Sequence, residues 1–151
     1  VFAMMQQAAE VARSKEGFPL RVSTALNGTR TDPAQRGTIE GIDLDNLTVG
    51  NLVNAFVDAI VGELMAFTRD LGASFDPIST IIATGNAIDK NDLFSASLSR
   101  LSGRRIVKAS VEDAAAVGAA LLAAQASALI DSSVRDGLVA GWTQEVKHDR
   151  N

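Results

Sequence analysis

Apolar residues at positions 1, 4, 5, 8, 11 and 12 recur at helical spacing and predict a helix over Val1–Ser14, stopped by Gly17 and Pro19. Leu20–Leu26 reads as a short strand. Asn27–Gly41 (NGTRTDPAQRGTIEG) is polar and carries the turn residues Gly28, Asp32, Pro33, Gly37 and Gly41, so it predicts an irregular connection. Thr48 is placed to cap a long helix running to Leu71. Leu52, Ala55, Phe56, Ala59, Ile60 and Leu64 fall there at three- and four-residue intervals and form the expected core face. Gly72 and Pro77 end that helix, and strand and helix alternate afterwards. Ser79–Ala83 is a β-branched run expected as a buried strand, followed by a turn at Thr84–Ala87. Asp89 is the expected cap of a helix through Leu101, which Gly103 terminates. Arg104–Lys108 predicts a second strand, and Ser110 with Asp113 gives a capping-box signature for a buried helix over Val111–Ala124. A further helical stretch reaches Val139. The pattern predicts an α/β domain over residues 1–141, with 142–151 as a polar, frayed tail.

Composition narrows the classes. A chain of 151 residues with 46% hydrophobic and 21% charged residues suits one globular domain. Eighteen acidic against fourteen basic residues give a net charge of −4, with no clustered basic face, so a nucleic-acid partner is not expected. The absence of Cys removes disulfides and thiolate metal sites and fits a reducing compartment. No uninterrupted apolar run approaches the roughly 18–20 residues of a bilayer span, and the first dozen residues do not resemble a signal peptide. A cytoplasmic protein with no membrane partner is the expectation. The chain begins on Val within a helical pattern, which suggests a piece of a longer polypeptide.

Catalytic chemistry is sparse. The single His, His148, falls in the polar tail, and neither a GxxxxGK[ST] loop nor a GxGxxG motif is present. Asp43 and Asp45 flank a loop, while Asp58, Glu63 and Asp70 are expected on a solvated helix face. No catalytic residue and no metal ligand can be assigned. The strand–turn–helix unit over 79–101 is more informative. Gly85 permits positive φ or close backbone approach, and a helix start presents free N–H groups to polar atoms. Strand ends of open α/β sheets are also where ligands collect. Such turns occur throughout α/β proteins, so the unit alone does not identify a ligand.

A resemblance supplies one. IIATGNAIDKNDLFSASLSRLSGRRIVKASVEDAAAVGAALLAA (81–124) resembles the end of the FGGY carbohydrate kinases. The matching elements are Gly85-Asn86-Ala87, Asn91, Gly103 with Ile106-Val107, Glu112-Asp113, and Ala115 through Gly118-Ala119-Ala120 to Ala123. Upstream, Gly28, Arg30, Pro33, Gly37 and Gly41 are similar to the family's Gly/Arg/Pro segment, and the likeness runs over about residues 27–124. The Gly-Thr-Arg spelling, the Gly-Asn turn and Asn91-Asp92-Leu93 look most like sedoheptulokinases; xylulose and glycerol kinases usually keep a second Gly at position 86. The resemblance implies an actin-like (ribonuclease H-like) ATPase half-domain, the C-terminal domain of a sugar kinase, incomplete at its N-terminus. It also implies ATP and Mg²⁺ in the complete enzyme, with the sugar and the catalytic base belonging mainly to another domain. Gly85, Asn86 and Ala87 are expected to line the adenosine pocket, with Lys90 and Asn91 near the adenine or ribose. A xylulokinase- or glycerol kinase-like activity and a non-catalytic actin-like binding module are the alternatives. Arg30 has two readings: an anchor for its own loop through carbonyls and Asp32, or a group facing the interdomain cleft. Gly118, Ala119 and Ala120 are read as small surfaces for close packing.

Overall fold

The computed structural model describes residues 2–13 and 20–145. Helix α1, Phe2–Arg13, forms where the apolar spacing predicts one, but it is Ala9, outside that stripe, that is fully buried, while Met4, Met5 and Val11 of the stripe are exposed. The expected strand at 20–26 shortens to β1, Arg21–Val22, because the chain turns at once: the Leu26 N–H bonds the Thr24 carbonyl and the Gly28 N–H bonds that of Ala25. β1 pairs antiparallel with β2, Ile39–Glu40. Between them the connection folds on itself. Asp32 accepts the Ala34 N–H, and Arg36 donates to the carbonyls of Pro33 and Gln35. Gly28 has φ 82, and a Cβ there would lie 2.5 Å from the Pro33 carbonyl oxygen, so this turn requires glycine on both counts.

Thr48 caps α2, Val49–Phe67, its hydroxyl oxygen accepting the Asn51 N–H at 3.2 Å. The chain then tightens into a 3-10 segment, Thr68–Ser74, interrupted by Gly72 at φ 51. Val49–Ser74 is by length and composition long and apolar enough to cross a membrane. Here, however, its inner face buries Gly50, Ala55, Val57 and Val61. Ile60 and Leu64, expected in the core, are exposed. The helix is apolar nearly all round, and such a pattern does not say which face turns inward.

Strand β3, Thr80–Ala83, leads through a short helix α3, Asn86–Lys90, into α4, Asp92–Ser102. Strand β4, Arg105–Ala109, runs parallel to β3 with Ile81 opposite Ile106 and Ala83 opposite Lys108. Gly103, at φ 64, closes α4 in the left-handed conformation. One face of the sheet packs on helices: Ala9, Val57, Val61, Ala83, Leu93, Leu98 and Ile106 form one buried cluster. Ile82 points to the opposite face and is 60% exposed.

The last third departs most from the sequence expectation. Helix α5 starts at Ala114 and runs to Ala126; Asp113 precedes it at φ 49 and makes no side-chain cap bond, so Ser110 and Asp113 do not form a capping box. No residue of α5 is buried. Its helical neighbour is α6, Ser132–Val139, capped by Asp131 through the Val134 N–H. The start of the expected tail is strand β5, Thr143–Glu145, which adds antiparallel to β4 and completes the sheet order β3-β4-β5. His148 lies outside the described residues.

Candidate functional site

Thr84 leaves the carboxyl end of β3, and Gly85 turns the chain with φ 104 and ψ 162. That backbone region is open essentially to glycine alone. Space is not the constraint, since a Cβ on Gly85 would meet nothing within 4 Å. The Gly85 carbonyl accepts the N–H groups of Ile88 and Asp89 at 3.0 Å each and so starts α3. The N–H groups of Asn86 and Ala87, in the first turn, are left outside the helical bonding pattern. Thr84, Gly85, Asn86, Ala87 and Lys90 are all exposed, while Ile88 packs against the core cluster and pins the turn from beneath.

Asn91 breaks the helical run. Its backbone is extended at φ −147 and ψ 103, and its Oδ1 accepts the Leu93 N–H at 3.0 Å to cap α4. The cap is thus Asn91 rather than Asp89, which lies inside α3. Asn is among the strongest N-caps, and the extended backbone needed there cannot be met two residues earlier inside a formed helix. Gly85, Asn86, Ala87 and Lys90, all exposed, and the partly buried Asn91 therefore follow one another through the turn and α3 after the C-terminal end of a parallel strand. Asn91 has its amide oxygen committed to the cap, which leaves its amide NH₂ as the group able to face a ligand.

One neighbour of this turn, Lys108, is not singled out by any motif, and Asp92 enters the sequence reading only as part of Asn91-Asp92-Leu93. Lys108, opposite Ala83 on β4, places its Nζ 2.8 Å from Oδ1 of Asp92, the first residue of α4. The residues lie sixteen positions apart. A pair of that separation is visible only once the two strands are known to be adjacent.

A concave site of about 1110 Å³ lies elsewhere, between α1, the start of α2 and the loop at 43–48. At its base Asp58 Oδ1 receives Ser97 Oγ at 2.5 Å, Arg100 Nη2 at 2.5 Å and, more distantly, Arg13 Nη2 at 4.0 Å. Asp58 is therefore half-buried and engaged rather than a member of a solvated face; Asp70 is exposed, and Glu63, also exposed, accepts the Thr24 hydroxyl. Burial lowers the Arg13 pKa, Asp58 opposes that shift, and the like charge of Arg100 adds to it. Asp43 is fixed by accepting the N–H groups of Asp45 and Asn46. The Asp58 contacts join α1, α2 and α4. Arg30 is exposed, and its loop is tied down by Arg36 instead. Among the described residues no three His, Cys, Asp or Glu side chains gather to hold a metal ion.

The family model described as the C-terminal domain of the FGGY family of carbohydrate kinases matches residues 2–127. No curated protein sequence matches the chain. Among solved structures, xylulose kinase from Rhodospirillum rubrum is 22% identical with a TM-score of 0.68, over 97% of this chain and 28% of that one. A ligand-bound xylulose kinase from Lactobacillus acidophilus is 20% identical with a TM-score of 0.74, over 97% and 29%. Glycerol kinase from Plasmodium falciparum, solved with ADP, is 19% identical with a TM-score of 0.70, over 95% and 30%. At these identities the likeness is one of fold, the actin-like ATPase fold of sugar kinases, and the chain spans less than a third of each kinase's length. With the family match covering the strand, the turn and both flanking helices, the chain belongs to the FGGY family of carbohydrate kinases and carries its C-terminal domain.

Proposed function

We propose that this chain forms the nucleotide-holding side of a sugar kinase cleft. The adenosine of ATP lies against Gly85, Asn86 and Ala87, with Lys90 and Asn91 beside the adenine or ribose. The observation that carries this reading is the glycine-only turn at the end of β3, lying inside the family-matched segment. A residue without a side chain on an open surface admits a flat ring, and exposed N–H groups can meet its polar edge. The chain's part in the reaction is then to bind and orient the nucleotide. Phosphoryl transfer rests chiefly on positioning and charge neutralisation, so a domain that only holds ATP is a sensible component. Mg²⁺, carried with the ATP phosphates, would neutralise their charge in the complete enzyme.

The acceptor is a sugar or polyol hydroxyl. The Gly-Asn turn and Asn91-Asp92-Leu93 favour sedoheptulose, giving the 7-phosphate. Xylulose and glycerol, the substrates named for the kinases of like fold, are the competing acceptors. The base and most sugar contacts belong to residues beyond these 151. Calorimetric titration with ATP and ADP tests the nucleotide assignment. Saturable binding that is lost in Asn86→Trp, with an unchanged far-UV spectrum, is expected. Binding that survives a bulky indole at position 86 would contradict it.

A further inference from the structure

The segment from Thr84 to Asp92 is held mainly by bonds to itself. Ile88 and Asp89 bond back to Gly85, and Asn91 bonds forward to Leu93. Ile88 supplies apolar contact with the core from below. Among the described residues, the polar contact that joins this segment to the sheet is the 2.8 Å pair between Asp92 and Lys108. Its two ends differ. The Asp92 side chain is 73% exposed, whereas Lys108, at the strand position opposite Ala83, is only 21% exposed. A lysine confined in this way has given up most of its rotamer freedom to the strand. It therefore holds Asp92 more firmly than two surface side chains would hold each other. Asp92 is also the first residue of α4, where a carboxylate suits the positive end of the helix, so the pair fixes the helix start itself.

We propose that Lys108 is a positioning residue for the nucleotide turn: by clamping Asp92 it sets where the Asn91 amide and the Gly85–Ala87 backbone stand relative to β3. The proposal rests on the nucleotide assignment made above. Lys108 acts through Asp92 and does not itself touch the ligand, which gives it a signature that a phosphate-binding lysine lacks. Losing it should weaken adenosine and ATP by the same factor.

The test uses the 151-residue chain and its Lys108→Met, Lys108→Arg, Asp92→Asn and Lys108→Met/Asp92→Asn variants, titrated with adenosine and with ATP. Lys108→Met and Asp92→Asn are each expected to weaken both ligands by roughly fivefold, a typical upper effect for one well-held ion pair. The double variant should be no worse than either single one, and Lys108→Arg should restore binding. A loss confined to ATP would overturn the proposal, as would additive effects in the double variant or unchanged affinity in Lys108→Met. Amide hydrogen exchange on the same proteins without ligand decides the point separately. Faster exchange over residues 86–93 in Lys108→Met, with α2 unchanged, supports the clamp; identical exchange removes it. If the unmodified chain binds neither ligand, the nucleotide assignment falls, and the exchange result still decides whether Lys108 holds the turn.

Discussion

Gly50 and Gly62 lie on the same helix, and replacing each by alanine should move stability in opposite directions. Gly50 stands in the first turn of α2 where α1 crosses it. A Cβ there would lie 2.2 Å from the Ala8 carbonyl oxygen and 2.7 Å from the Ala12 Cβ. The first obstacle is backbone, so no side-chain rotation relieves it. The helices must separate by roughly 1 Å where they touch. Overpacking of this kind costs about 1–3 kcal/mol. The gain in helix propensity on leaving glycine is at most about 1 kcal/mol and smaller near a helix end. Packing wins, and Gly50→Ala should destabilise by about 1–2 kcal/mol, lowering Tm by roughly 3–8 °C. Gly62 is exposed in mid-helix with nothing within 4 Å of the added carbon. Only the propensity and the unfolded-chain entropy remain, so Gly62→Ala should stabilise by about 0.5–1 kcal/mol. Thermal unfolding followed by circular dichroism at 222 nm measures both. A Gly50→Ala protein as stable as the parent would refute the close α1–α2 crossing that organises the helical layer.

Asn91→Ala should cost about 1 kcal/mol through loss of the α4 cap. Asn91→Asp keeps that cap but replaces the amide NH₂, so it should retain stability in urea unfolding while weakening ATP. Asp131 has its pKa lowered first by the Ser133 hydroxyl and then by the Val134 N–H. With the folded value below the unfolded one, its contribution to α6 is complete above about pH 4 and is lost as pH falls through the lower folded value. Amide protection across Ser132–Val139, taken relative to the intrinsic exchange rate at each pH, should fall in that acid range for the parent chain and stay unchanged for Asp131→Asn.

The parts that the sequence revealed are those governed by local chemistry. Thr48 before an apolar helix, Gly103 after one, and the β-branched run ending at Ala83 each carry a short-range reason for their structure and adopt it, although the strand is not buried as expected, since Ile82 is 60% exposed. The turn at Gly85 was legible for the same reason. The misplacements share a different cause. The inward face of α2 could not be read because the helix is apolar nearly all round, and the choice of Val57 and Val61 over Ile60 and Leu64 is made by α1 and α4. Helix α5 reads as buried by composition, yet its burial depends on what packs against it, and among the described residues α6 covers little of it. Asp58 looked like one of several surface carboxylates until α1 and α4 brought Arg13, Ser97 and Arg100 to it. Strand β5 is polar and short, so its pairing with β4 is a tertiary outcome with no local signature. The Lys108–Asp92 pair belongs to the same group, because strand adjacency creates it.

The central claim is that the nucleotide seats on the turn after β3 and not in the concavity between α1 and α2. Backbone amide shifts of the isotopically labelled chain, followed by NMR during titration with ADP, test it most directly. The account predicts saturable shifts concentrated on residues 84–92, with the amides of Gly50, Asn51 and Asn54 unmoved. Shifts centred on those three residues, or none at millimolar ADP, would contradict it.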